Sequence, residues 1–246
     1  MPQDNSSAKD SRNSPVSYAQ LKRGVQTLGL QIHGAVQPGR QQDRQTDCQT
    51  GHHPVQALSH GTLILLGTGK DFWQHFTQAP EVDDSQPDPI DRWSSRVIGA
   101  LAISLGATAY FPFGGPPYTP FVNWALASGR AFTSPSQMLV HDAVGMLISY
   151  RGALHFDQCF DIPPPPLAHS PCTTCAAKPC LNTCPAHALV DGGPYDLAAC
   201  HHHLDTTAGA PCMTQGCFAR RACPLSLQAG RCFEQNAHHM RYFHRS

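Results

Sequence analysis

The sequence predicts an α+β chain in two parts: a mixed, layered helix-and-strand domain over residues 16–161, then a small cysteine-rich module over residues 167–228. Three observations predict it. Across residues 16–161 the apolar positions switch between a helical spacing of three to four and a strand spacing of two. The prolines Pro163 to Pro166 then make a stiff, extended spacer with no backbone donors, which marks the boundary. Beyond it, eight of the chain's eleven cysteines crowd between Cys172 and Cys223.

Taken in order, residues 1–15 are Ser, Asn, Asp and Gln with little apolar content, and read as a disordered tail. They lack the apolar run of a secretory signal, so the expected compartment is the cytoplasm. Tyr18, Leu21, Val25 and Leu28 stand at helical spacing, and Leu30, Ile32, Gly34 and Val36 alternate as a strand does. From Gln37 to Gln56 the chain is polar and turn-rich, with Cys48 isolated in it as an incidental thiol. Gly61 to Gly69 reads as a buried strand entering a glycine-rich turn ahead of DFWQHF, a short helix. Gly67, Gly69 and Lys70 lack the full P-loop and dinucleotide fingerprints, so an ordinary strand-to-helix turn is expected there.

Asp88 and Pro89 offer an N-cap and first helical residue, and Trp93, Val97, Leu101 and Leu105 recur every fourth position up to a Gly106 cap. A strand over Ala107 to Phe113 follows. The apolar run from Val97 to Phe113 is short and interrupted by Gly, Ser, Thr and Pro, so no membrane span is expected. A short helix is expected over Pro120 to Gly129, then two adjoining strands, Met138 to Tyr150 and Gly152 to Phe156. His141 and Asp142 are candidate proton donors, with an exposed strand edge as their expected setting. Residues 229–246 are basic and His-rich, and read as a tail or as a strap packed on the first domain.

The chain has 17 basic and 17 acidic residues, which gives no argument for nucleic acid or another polyanion as partner. The cysteines carry the functional signal. Cys172, Cys175, Cys180 and Cys184 follow C-x2-C-x4-C-x3-C-P, and the second set, Cys200, Cys212, Cys217 and Cys223, again ends in C-P. Eight thiolates in two C-P-terminated groups is the ligand count of two [4Fe–4S] clusters. Short spacing lets one loop present several sulfurs to one cube, and the remaining ligand then comes from the distant group. A disulfide scaffold suits a small secreted chain better than this one. Structural zinc is the stronger rival, since C-x2-C pairs make zinc knuckles and His169, His187 and His201 to His203 lie nearby. Zinc, however, does not require the repeated C-P ending. Cys159 and Cys232 stand outside both groups and are expected not to be ligands.

The cysteine segment resembles the dicluster domain of bacterial ferredoxins, and especially the iron–sulfur module of the epoxyqueuosine reductase and reductive dehalogenase type. The segments SQPDPIDRWSSRVIGAL, AYFPFGGPPYTPFVNWA and LVHDAVGMLISYRGAL are similar in order and texture to the first domain of that family. The resemblance implies a ferredoxin-type dicluster fold in which Cys172, Cys175, Cys180 and Cys223 hold one cluster, and Cys184, Cys200, Cys212 and Cys217 the other. The sequence departs from the family spacing between Cys175 and Cys180 and in the C-x4-C-x5-C-P of the second group. The expected function is electron transfer with redox proteins as partners. The alternatives are a corrinoid-dependent reductase, which adds a corrinoid cofactor to the first domain, and a zinc-stabilised interaction protein.

Overall fold

The computed structural model describes residues 16–37, 58 and 60–245. The tail expected at residues 1–15 lies outside the described residues, as does Cys48 with most of the polar stretch around it. The chain has the α+β architecture. Strands β1 (Leu30–Val36), β2 (Thr62–Thr68), β3 (Thr108–Tyr110) and β6 (Tyr150–Phe156) form one antiparallel sheet in the order β1-β2-β6-β3. Strands β4 (Ala131–Thr133) and β5 (Leu139–His141) pair as a separate two-stranded ladder.

Every residue of β2 is buried, because helices cover both faces of the sheet. Ile64 and Leu66 face α1 (Tyr18–Gln26), α2 (Phe72–Thr77) and α3 (Pro89–Leu105), while Leu63 and Leu65 face α4 (Phe121–Ala127) with its buried Trp124. Each of these four side chains gains roughly 1.5–3 kcal/mol from burial, which is why the run GTLILLG lies at the centre and not at an edge. Gly67 is required there by contact, because a Cβ would lie 2.4 Å from the His33 ring and 2.5 Å from the Ser149 carbonyl.

The first helix begins on a reciprocal cap, in which the Ser17 hydroxyl accepts from the Gln20 amide and the Gln20 side chain accepts from the Ser17 amide. The third ends at Gly106 in the left-handed conformation expected of it. Its other end differs from expectation. Asp88 occupies the N-cap position but makes no cap bond, and its carboxylate accepts from Arg245 at 2.5 Å instead.

Two expected strands are shorter than predicted. Of Ala107 to Phe113 only β3 pairs, since Pro112 has no amide to donate. Of Met138 to Tyr150 only β5 and the first residue of β6, Tyr150, are strand, and β5 pairs with β4, not with β6. The apolar residues that follow form a tongue. Val144, Leu147 and Ile148 pack with Ala229, and the Met146 amide donates to the Ser226 hydroxyl at 3.0 Å. At the tip, Gly145 has φ 58°, and a Cβ there would lie 2.5 Å from the Ser226 amide nitrogen.

After the prolines the chain forms four short helices, α5 (Pro179–Asn182), α6 (Leu197–Leu204), α7 (Ala210–Gln215) and α8 (Phe218–Ala222). Residues 229–246 contain α9 (Phe233–Phe243), which runs back over the first domain. There the His238 ring lies 5.7 Å from both Trp73 and Phe76 of α2. No helix among the described residues is long and apolar enough to cross a membrane.

Candidate metal centre

The cysteine module has little apolar surface to bury, and its backbone is shaped by short turns around the thiols. Ser170 starts the first, its hydroxyl accepting from the Cys172 amide at 3.3 Å, and the Cys175 amide closes the turn on the Cys172 carbonyl at 3.2 Å. Pro179 opens α5 and so places Cys180, while Pro224 stops α8 directly after Cys223. The α8 helix packs beside α5, which brings Cys223 to Cys180 across more than forty residues of chain.

The eight thiols fall into two sets of four. Cys172 lies among Cys223 and Cys175, and Cys180 among Cys172, Cys223 and Cys175. Cys200 lies among Cys217 and Cys184, and Cys212 among Cys217, Cys184 and Cys200. No member of one set is an electrostatic neighbour of the other in these pairings. The chain thus crosses between sets twice: Cys184 leaves its near neighbour Cys180, and Cys223 leaves its near neighbour Cys217. Burial, followed by the neighbouring thiols, pushes Cys180 up, and desolvation dominates at Cys172, Cys200 and Cys212 as well. None of the cysteines described is in a disulfide. Among the described residues, no three His, Cys, Asp or Glu side chains converge closely enough to hold a single metal ion.

The surroundings of the two sets differ. In the second, the Tyr195 hydroxyl donates to Cys200 Sγ at 3.0 Å, and Ala188, Leu189 and Ala219 pack against Cys184. Burial and the sulfur acceptor both push the Tyr195 phenol up, so it stays a donor. The first set faces the layered domain. Cys180 and Cys223 share an apolar cluster with Val140 of β5 and Met146 of the tongue. Arg220 locks this contact by donating to the carbonyls of Met146 and Ile148, at 2.7 and 3.2 Å.

One residue along β5 from Val140, the strand turns His141 into the layered domain. This corrects the expected solvent-facing setting of His141 and Asp142, whose side chains are 0% and 1% exposed. Asp142 accepts two bonds from Arg130, at 2.9 and 2.7 Å. His141 Nε2 donates to the His33 carbonyl at 2.9 Å, and its Nδ1 accepts from the Ala143 amide at 3.1 Å. Asp142 Oδ1 also lies 3.1 Å from Nδ1, but its charge is engaged by Arg130, and burial holds the imidazole neutral with its pKa lowered to about 4. His33 is the extra residue of a β1 bulge, which re-aims its ring to 4.9 Å from that of His141. Burial, reinforced by His141, lowers His33 to about 3. The Tyr150 hydroxyl and His33 Nδ1 are buried with no hydrogen-bond partner among the described residues.

Sequence reasoning missed His33, Arg130, Tyr150 and Tyr195. His33 and His141 are 108 residues apart, and the bulge that joins them leaves no mark in the strand's alternation. Cys232 Sγ accepts from the Gln235 amide at 3.5 Å, at the start of α9, and the exposed Cys159 points its thiol at the Gly61 carbonyl. Of the histidines weighed as zinc ligands, His201 is hydrogen-bonded through Nδ1 to His244, which bonds Asp205 in turn. No protein-family model and no curated protein matches the chain.

Proposed function

We propose that this chain is an iron–sulfur electron-transfer protein with a ferredoxin-type C-terminal module that carries two [4Fe–4S] clusters. The observation that carries the reading is the sorting of eight thiols into two crossed sets of four. Cys172, Cys175, Cys180 and Cys223 would hold one cluster, and Cys184, Cys200, Cys212 and Cys217 the other. A cube gives each thiolate its own iron, and four thiols in each set meet that count.

When bound, such clusters supply one-electron transfer at a potential set by hydrogen bonds, charge and exposure. The chain's own residues then do three things. Val140, Met146 and Leu181 exclude water from the first set. Tyr195 holds a proton on its oxygen and presents it to Cys200 Sγ. Arg220 fixes the tongue, and through it the first set, against the layered domain.

Iron, acid-labile sulfide, zinc and cobalt analysis of anaerobically purified protein tests the reading. Iron and sulfide in equal amounts without zinc support it, and added cobalt would make the protein a corrinoid-type reductase. Stoichiometric zinc without sulfide would overturn it.

A further inference from the structure

A second feature lies where residues of α9, β6 and α3 line one cavity. Here the chain buries more positive than negative charge. Arg151 is the extra residue of a bulge in β6, since Leu66 pairs with Gly152 and Gly67 with Tyr150. The bulge turns Arg151 toward α3, where its side chain is 10% exposed and its Nη2 donates to Asp91 at 2.8 Å. Its Nε is buried with no partner among the described residues. The same is true of His239 Nε2 on α9, and of both Nε and Nη2 of Arg231 at the approach to α9. Four buried nitrogens therefore lack a hydrogen-bond partner among the described residues.

The countercharge does not balance them. Asp91 is bonded to Arg151, and Asp88 is bonded to the exposed Arg245. The groups that bear on Arg231 are Arg220, Arg151 and Cys232, none of them a carboxylate or one of the eight thiols of the two sets. Charge buried without a partner is costly, and chains keep it where something else supplies the opposite sign. A cavity of about 250 Å³ opens here, walled by Asp88, Ile90 and Asp91, by Arg151 and Arg245, and by His238, His239 and Tyr242 of α9. Arg231 does not line the cavity, but its charge bears on His239, and Arg151 bears on it in turn.

We infer that this cavity binds a small oxyanion, a phosphoryl group, between Arg151 and His239, with Arg231 as a supporting charge nearby. A planar guanidinium with a free Nε–H suits a tetrahedral oxyanion, because its donors match the oxygen spacing. The cavity has room for a phosphate and for a small group esterified to it, and the stacked pair His238 and Tyr242, 4.8 Å apart, borders it. Since β6 and α3 supply one wall and α9 the other, a bound anion fastens α9 to the layered domain. This site is independent of the cluster reading.

The full-length protein, with its clusters, is titrated with inorganic phosphate against chloride at matched ionic strength, using phosphorus-31 line broadening and the thermal unfolding midpoint. Phosphate is expected to bind saturably and raise the midpoint, as any ligand of the folded state does. Arg231→Met should weaken phosphate by about ten-fold or more. The same substitution should raise the midpoint in phosphate-free chloride, because it removes an unpaired buried charge. A merely structural arginine would lower that midpoint and leave the phosphate response intact. Glycerol 3-phosphate in a parallel arm distinguishes the source: tighter binding than inorganic phosphate assigns a phosphomonoester, weaker binding a free phosphate. Absence of saturable binding in the unaltered protein, or equal binding by Arg231→Met, would overturn the proposal.

Discussion

At Cys200 the sulfur accepts a hydrogen bond from the Tyr195 hydroxyl at 3.0 Å. Donation to a cluster sulfur stabilises the reduced state, so Tyr195→Phe should retain full iron and move one of two midpoint potentials to a more negative value. Unchanged potentials by redox titration would show that the bond is not felt. The crossing of the sets gives a sharper test. Cys184→Ala should strip the cluster expected at Cys200, Cys212 and Cys217 and keep the one at Cys172, Cys175 and Cys180, although Cys180 is its nearer neighbour in sequence. Electron paramagnetic resonance with iron analysis reads which signal survives. His141 supplies a pH dependence. Its folded pKa of about 4 lies below the ordinary value of 6.5, so the unfolded chain takes up the proton first as pH falls. Stability is therefore present in full above about pH 6.5 and lost toward pH 4. Urea unfolding should show the unaltered protein losing about 1–2 kcal/mol more than His141→Gln between pH 7 and pH 5. At this scale the cysteines were legible because spacing and the C-P endings are local. Arg151, Arg231 and the His33–His141 pair were not, because burial and pairing join residues far apart in the chain.

Among the elements, β2 and α4 show how packing follows from pattern. Trp124 is fully buried against Leu63, Leu65 and Phe121, so Trp124→Ala should cost about 3–5 kcal/mol in chemical denaturation. A loss under 1 kcal/mol would mean that α4 is not part of the core. The bounds of β1 and the Gly106 end of α3 were readable, because alternation and a left-handed glycine are local signals. The tongue was not. Val144 to Ile148 is as apolar as a strand, but those residues are buried by docking onto Ser226 and Ala229 and not by sheet pairing. Composition alone does not tell one burial from the other. The Asp88 cap failed for a related reason: Arg245, at the far end of the chain, holds its carboxylate.

Over the whole molecule, the layered domain has a two-faced core of its own, while the module after Pro166 places its thiols on short helical turns or in the loops and caps between them. Metal ligation should therefore supply most of the module's folding free energy. Limited proteolysis of metal-free protein should cut after Pro166 and leave the layered domain protected. Native-like protection of the apo module would show that it folds without its clusters. The central claim is the occupancy of the two crossed sets, and its most direct test is the iron and acid-labile sulfide content of anaerobically reconstituted protein. About eight of each per chain is predicted, with four irons in each cube. Stoichiometric zinc with no sulfide would contradict it.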